Sequence, residues 1–226
     1  MSKVSGIKAT ANSDAGKTWQ QSISENTRTV ILDATIQCFY DIGYNNTTTE
    51  KVAAQAGVSR GAMLHHFPSR LELIKATVLH LHQKRLVLFE EQERRIQDDA
   101  EHSLIEEGID AYWKQLHSPL FVVFHELRVA ARTDMELKKI LIPTIRKFEQ
   151  RWQAVTESVF PDFALSDDFE MANLLTVYLL EGMAVNGVIR GAIPQKMIPW
   201  LKDRLREMLS DVDDLDRKTA RKSKRK

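Results

Sequence analysis

The 226-residue chain is poor in cysteine and in long apolar runs. Cys38 is its single cysteine, so no disulfide can form within the chain, and this favours a reducing compartment. No apolar run approaches the roughly 18 residues that are needed to cross a bilayer, and the first residues lack the apolar stretch of a secretory signal. We therefore expect a cytoplasmic protein without a membrane partner.

Net charge is also low, at +1 with the histidines neutral. Nucleic-acid-binding domains are often strongly basic, so composition by itself does not predict a nucleic-acid ligand. Hydrophobic residues make up 43% of the chain and charged residues 28%, which is typical of a globular protein that can bury a core. Function therefore has to be inferred from the order of the residues.

Strand-like alternation is lacking, and apolar residues instead repeat at helical spacing, which predicts an all-α protein. The first helix should stop at Gly43, and the six prolines fall at plausible breaks between or within helices. The helices are predicted near residues 25–42, 48–55, 59–66, 69–98, 101–117, 120–132, 135–160 (broken or kinked at Pro143), 166–191 and 195–209.

Four segments are predicted along the chain. Residues 1–24 have almost no large apolar side chains and should form a flexible arm. Residues 211–226 form a charged tail in which seven of the last ten residues are Lys or Arg; this is a disordered tail or, alternatively, a nonspecific phosphate contact. Between them we expect a small N-terminal domain, 25–70, and a larger helical domain, 71–210.

The most informative sequence is TTTEKVAAQAGVSRGAMLHHFPSR, which begins at Thr47. Thr47 or Thr48 can cap its first helix, and Thr47 with Glu50 has the spacing of a capping box. Gly57 lies where the chain must turn sharply and suits a positive φ, and Ser59 can cap the next helix. Two short helices joined by such a turn are typical of a helix-turn-helix, whose second helix enters the major groove of DNA.

Apolar spacing directs Met63 and Phe67 of the second short helix towards the core, which leaves its small and polar residues facing outward. Arginine and histidine can contact phosphates or base edges, and small residues allow close approach to the groove. Threonines at a helix start and a cation at the next one can hold the flanking phosphates. The residues predicted to bind DNA are Thr48, Thr49, Arg60, Gly61, Ala62, His65, His66 and Arg70.

The chain resembles the TetR family of regulators from Arg28 to about Ile74, and FYDIGYNNTT, VAAQAGVS and HHFPSRLELI carry the similarity. The family usually has a tyrosine where Leu64 stands, so a common phosphate contact should be missing here; Arg70 replaces the usual lysine. The resemblance implies a homodimeric transcription regulator of double-stranded DNA. It further implies a repressor that a small-molecule effector releases from a palindromic operator.

The larger domain carries no HExxH pair, phosphate loop or GxSxG elbow, so we predict neither an enzyme nor a cofactor. His80 and His82 are two residues apart and should point in different directions on a helix, which makes them a poor metal pair.

The resemblance implies instead that this domain binds an effector and forms a dimer. Aromatic residues for an apolar pocket and polar groups to orient a ligand are the candidate effector site: Trp113, Phe121, Phe124, His125, Arg128, Tyr178, Glu181 and Met183. The segment 169–191 is apolar on more than one face and so needs a second partner. With the last helix it predicts a four-helix interface that includes Leu175, Leu179, Met183, Gly187, Leu201, Leu205 and Met208.

Two alternatives remain open on the sequence. In the first, the chain is a structural DNA-bound protein whose C-terminal domain binds another protein. In the second, it is a helical enzyme or carrier in which the N-terminal motif is vestigial.

Overall fold

A computed structural model describes residues 19–98, 104–159, 167–190 and 193–209. Most of the predicted arm and the whole of the predicted tail lie outside these ranges. All regular secondary structure in the described ranges is helical, as predicted. The helices are α1 (Trp19–Ile42), α2 (Thr49–Ala56), α3 (Arg60–His66), α4 (Arg70–Asp98), α5 (Leu104–Leu116), α6 (Pro119–Ala130), α7 (Met135–Val159), α8 (Asp167–Arg190) and α9 (Ile193–Met208).

The largest difference from the predicted boundaries is at the start of α1. The helix begins at Trp19, so residues 19–24 are helical and do not belong to an arm. Trp19 and Ile23 are exposed, and no proline or glycine interrupts the segment. The helix can therefore extend beyond its packed part, and apolar periodicity gives no signal for where it begins.

Prolines also end fewer helices than expected. Pro143 lies inside α7 and Pro199 inside α9, so α7 is not broken at Pro143; the alternative of a kink there stays a prediction. Leu137 and Leu141 are buried on the inner face of α7, which holds the helix in place. Pro143 lies on the exposed side, where water can satisfy the carbonyl that loses its amide partner.

Helices α1–α3 and the start of α4 enclose the N-terminal core. Cys38 is buried in it, as a small apolar side chain. Its buried members are Ile31, Leu32, Ala34, Cys38, Val52, Ala53, Met63, Phe67 and Leu73.

A second cluster, the junction core, joins this N-terminal part to the larger domain. It packs one face of α1 against α4, α6 and α7, so the two predicted domains share a core at their boundary. Its buried members are Ile36, Phe39, Tyr44, Ile74, Val78, Leu81, Val123, Phe124, Leu127, Ala131, Leu137 and Leu141.

The third cluster, the distal core, lies among α5, α6, α8 and α9. Its buried members are Ile109, Leu116, Phe121, Ala172, Leu180, Met183, Leu201, Leu205 and Leu209. Helix α4 starts in the N-terminal core with Leu73 and continues into the junction core with Leu81. It therefore connects the helix-turn-helix physically to the larger domain.

Candidate functional site

The turn between α2 and α3 has the geometry that the sequence predicts. Gly57 has φ +65°, and its amide donates to the carbonyl of Ala54 at 3.2 Å. The amide of Val58 donates to the carbonyl of Ala53 at 3.0 Å, which completes a Schellman motif. This turn fixes the angle at which α3 leaves α2.

The start of α2 corrects one prediction. Thr48 is the N-cap and accepts from the amide of Lys51 at 3.3 Å. Thr47 is buried instead and donates to the carbonyl of Gly43 at 2.8 Å. The capping box of Thr47 with Glu50 is therefore wrong, because the hydroxyl of Thr47 is needed to close the turn after α1.

Helix α3 is capped by Ser59, whose Oγ accepts from the amide of Ala62 at 3.1 Å. Met63 and Phe67 are each 1% exposed and anchor the helix to the N-terminal core. This anchoring leaves the opposite side of α3 outside, as predicted.

That outer side carries the predicted DNA-binding residues. Arg60, Gly61 and His65 are exposed, and Ala62 and His66 are half-buried. The guanidinium of Arg60 lies 3.8 Å from the carboxylate of Glu50, with its side chain 76% exposed. Such an exposed pair is weak, so Arg60 remains available for a base edge or a phosphate.

Among the α3 histidines, His66 is kept neutral. Partial burial, and after it the neighbouring His65 and Arg28, lower the pKa of His66. At neutral pH its ring can therefore exchange single hydrogen bonds with DNA but gives no full charge. Leu64 is 43% exposed and presents an apolar side chain in place of a hydroxyl.

Arg70 has a structural role that the sequence does not reveal. Its guanidinium donates to the carbonyl of Tyr44 at 3.2 Å and to that of Thr47 at 3.5 Å, and it lies over the Tyr44 ring at 4.9 Å. Arg70 thus fastens the α1–α2 turn to the start of α4. Its predicted phosphate contact stays a prediction.

The same turn is held from the other side by the larger domain. The carboxylate of Glu126 on α6 accepts from the amide of Tyr44 at 2.6 Å. The hydroxyl of Tyr44 donates to Asp134, between α6 and α7, at 2.8 Å. Gly43 has φ +83°, and a Cβ there would meet Glu126 Oε1 at 2.9 Å. We call Tyr44, Arg70, Glu126 and Asp134 the turn clamp.

Inside the larger domain, charged and polar side chains from α4 to α8 meet around the ring of Phe124. Arg85 lies 3.7 Å from the ring centroid, Arg128 lies 5.6 Å away, and the ring of His82 is 5.2 Å away, edge-on. We call the group the Arg85 cluster; its members are His82, Arg85, Tyr112, Phe124, Arg128, Phe148 and Glu181.

Arg85 is the most unusual member. Its guanidinium also contacts the Phe148 ring, at 4.5 Å, and its Nη1 is inaccessible to solvent and has no hydrogen-bond partner. Burial lowers the pKa of Arg85 to about 10, so the group is still charged at neutral pH. An arginine nitrogen buried without a partner is costly, because the desolvation of the charge is not compensated.

His82 lies one turn before Arg85 on α4 and is 3% exposed. Neither of its ring nitrogens has a partner. Burial, and then the charge of Arg85, lower its pKa to about 3, so the imidazole is neutral. His80 points elsewhere and contacts Asp33 at 2.8 Å, which agrees with the predicted divergence of the two histidines.

Glu181 on α8 is already fully engaged. It accepts from the hydroxyl of Tyr112 at 3.2 Å and from Arg128 at 2.9 Å. Burial and then the charge of Glu181 raise the pKa of Tyr112, so this phenol stays protonated. The carboxylate thus has partners on both oxygens without Arg85.

The structure separates the residues that the sequence proposed for the effector site. Phe124, Arg128 and Glu181 belong to the Arg85 cluster, while Phe121 stacks on His125 at 5.9 Å and joins the distal core. Trp113 and Met183 pack in the distal core. Tyr178 is 68% exposed on the outside of α8, so placing it in the pocket is wrong.

The sequence missed His82, Arg85, Tyr112 and Phe148. A signal for Arg85 is present, because it occupies an apolar position in the stripe of α4 that includes Val78 and Leu81. A charged residue at such a position extends to solvent or enters a polar site. Only the packing of the other helices decides between the two.

Some of the predicted dimer residues are buried within the chain and others are exposed. Met183, Leu201 and Leu205 are buried within their own chain, which corrects their assignment to an interface. Leu175 and Met208 are exposed and Leu179 is half-buried, while the surroundings of Gly187 lie outside the described residues. The apolar face that α8 leaves exposed consists of Met171, Leu174, Leu175, Tyr178 and Val185; we call it the α8 stripe.

Comparison with known proteins shows what this chain is similar to. A sequence profile described as bacterial regulatory proteins of the tetR family matches residues 31–77. An HTH-type transcriptional regulator of Mycobacterium tuberculosis is 26% identical over 196 residues, which cover 84% of this chain and 94% of the relative. CymR, an HTH-type transcriptional regulator of Pseudomonas putida, is 28% identical over 181 residues, 78% of this chain and 81% of CymR.

The fold has solved counterparts. The structure of Salmonella enterica GusR matches with a TM-score of 0.61 at 20% identity, and the match covers 82% of this chain and 96% of GusR. Both N-terminal and C-terminal helices therefore have equivalents in one solved chain. Within the described ranges, none of the helices is sufficiently long and apolar to span a bilayer.

Proposed function

We propose that the chain is a transcriptional regulator of the TetR family, which its similarities support, and that it is a repressor that leaves a palindromic operator when a small molecule binds its larger domain. Residues 25–70 would form the DNA-binding part, and residues 71–210 the regulatory and dimerising part. The observation that carries this proposal is the Arg85 cluster, where buried polar atoms have no partner.

Buried polar groups in proteins are normally hydrogen-bonded, and the exceptions require an explanation. Here His82 and Arg85, two side chains of α4 with unpartnered atoms, both contact the ring of Phe124. A ligand that supplies the missing partners would bind more strongly than one that merely fills space. The cluster thus has the chemistry of a small-molecule binding site.

The turn clamp offers a route from this site to the DNA. Phe124 and Glu126 are two residues apart on α6, and one lies in the Arg85 cluster while the other holds the amide of Tyr44. Arg85 likewise shares α4 with Arg70. A ligand that shifts α4 or α6 would therefore change how the helix-turn-helix is held, and a coupling of about 1–3 kcal/mol is enough for a useful switch.

A twofold dimer would present two α3 helices to successive major grooves, about 34 Å apart along the duplex. The α8 stripe supports such a dimer, since Leu174, Leu175 and Tyr178 are exposed apolar side chains on one side of the helix.

The experiment begins with selection of the operator from a random duplex library by the full chain, followed by measurement of its affinity. Arg60→Ala combined with His66→Ala should weaken specific binding by about 100-fold or more, because each base or phosphate contact contributes about 1–3 kcal/mol. Arg146→Ala, at an exposed position on α7, is the matched control. Unchanged affinity of the double variant at normal thermal stability would disprove the assignment of α3.

The repressor logic is tested on the same operator. Ligand-free protein should bind it, and a ligand of the larger domain should weaken binding. Tighter binding in the presence of the ligand would point to a co-repressor or an activator instead.

A further inference from the structure

We propose that the effector is a small monoanionic acid with an apolar, ring-containing body, and that Arg85 binds its anionic group. The role of this acid as an effector rests on the proposed function. The assignment of the binding group does not, because it follows from the contacts of Arg85 alone.

The first argument is the geometry of the guanidinium. The rings of Phe124 and Phe148, with centroids 3.7 and 4.5 Å from Cζ, position Arg85, and its Nη1 is buried without an acceptor. The planar fork of an arginine matches the two oxygens of a carboxylate. Cation–π contacts hold the fork in place but supply no acceptor for Nη1.

The second argument is the balance of charge. Arg85 and Arg128 bring two positive charges, and Glu181 brings one negative charge whose oxygens already accept from Arg128 and Tyr112. The groups that act on Arg85 are Tyr112, whose phenol stays protonated, Glu181 and Arg128. One positive charge is therefore left without compensation, so one negative charge on a ligand neutralises the site and a cationic ligand does not.

The third argument concerns the remaining surroundings. Within the described residues, the unpartnered buried atoms besides Nη1 of Arg85 are the nitrogens of His82 and Nδ1 of His125. Both of these rings contact phenylalanines. Aromatic neighbours favour stacked or edge-on contact with another ring. The site therefore suits a ring-containing body with few polar groups beyond its acid.

The test compares acids with their neutral amides on the full-length protein. Benzoate, phenylacetate and 1-naphthoate are paired with benzamide, phenylacetamide and 1-naphthamide, and binding is measured by calorimetry and by the shift in melting temperature. At least one acid should bind about tenfold or more tightly than its amide, as expected when a charge-assisted hydrogen bond is lost. If no acid exceeds its amide, the proposal is overturned.

Variants then locate the site. Arg85→Met should reduce the affinity for that acid by at least about tenfold. Arg85→Lys keeps the charge but not the fork, so its affinity should lie between that of the parent and that of Arg85→Met. Arg151→Gln removes a surface guanidinium that pairs with Glu90 at 3.0 Å and should bind the acid like the parent. Undiminished binding by folded Arg85→Met would overturn the assignment.

Operator release separates this inference from the proposed function. An acid that binds through Arg85 without affecting operator binding would overturn release of the repressor and support the Arg85 site. Release by the amides and not by the acids would support a ligand-released repressor and overturn the Arg85 site.

Discussion

At the scale of single residues, His82 shows what a buried imidazole without hydrogen bonds costs the folded protein. Its imidazole is 3% exposed and makes no hydrogen bond, and it stays neutral because burial lowers its pKa to about 3. In the unfolded chain the same group has a pKa near 6.5. Below a pH of about 6.5 the imidazole therefore binds a proton in the unfolded state that it does not bind in the folded state.

We predict that this difference makes the fold sensitive to acid. The free energy of unfolding should fall as pH drops below about 6.5, and the loss attributable to His82 between pH 7 and 5 should be about 2 kcal/mol. His82→Leu should remove this part of the pH dependence, measured by denaturant unfolding at both pH values. His65→Leu, at an exposed site on α3, is the control, and an equal effect of both substitutions would contradict the prediction.

The sequence identifies some of these residues but not their roles. Gly57 and Ser59 could be assigned correctly because their functions depend on neighbours within a few positions. Arg85 could not, because the rings that hold it come from α6 and α7 and the charges that act on it from α6 and α8. A side chain that depends on several distant helices has no local signature.

At the scale of helices, the same distinction explains which boundaries could be predicted. Helix α1 ends before Gly43, and α4 starts after Ser69, whose Oγ accepts from the amide of Glu72 at 3.2 Å; both are local signals, and both were predicted. The contact of Glu126 with the amide of Tyr44 spans 82 positions of sequence. The turn clamp was therefore not predictable from either segment alone.

For the clamp we predict a loss of coupling between ligand and DNA. Glu126→Ala removes the acceptor for the Tyr44 amide, so a ligand that moves α6 can no longer act on the α1–α2 turn through it. Operator affinity should fall by several-fold, and the effect of a ligand on that affinity should shrink by about 1 kcal/mol or more. Fluorescence anisotropy with labelled operator, with and without ligand, measures both quantities.

Two further variants test the cause. Glu126→Gln retains an oxygen acceptor and should keep part of the coupling, while Glu149→Ala changes an exposed carboxylate on α7 and should keep all of it. Full coupling in Glu126→Ala would show that the signal passes along α4 instead.

At the scale of the whole molecule, the α8 stripe is the surface through which we propose that two chains associate. Met171 is 59% exposed and Tyr178 is 68% exposed, and residues between them at helical spacing are apolar as well. The distal core already occupies the opposite side of α8 through Ala172 and Leu180. The helix therefore has the second apolar face that the sequence predicted, although the residues on it differ in part from those proposed.

We predict that Leu175→Asp combined with Tyr178→Asp produces a folded monomer, because a dimer would bury both charges without partners. Sedimentation should show the lower mass, and operator affinity should fall by about 100-fold or more as one recognition helix is lost from the complex. Val87→Asp, at a site on α4 that is 52% exposed, is the control. A dimer that survives the double substitution would place the interface elsewhere.

The junction core has a consequence for chimaeras between this chain and the regulators that it resembles. Ile36, Phe39 and Tyr44 belong to the N-terminal part of the chain, yet they are buried against α4, α6 and α7. Replacing the N-terminal part up to residue 70 by that of another regulator would bring foreign side chains into that contact and remove Tyr44 from Glu126 and Asp134. In such a chimaera, a ligand of the new larger domain should control operator binding only if the donor's α1 face and the recipient's α6 are exchanged together.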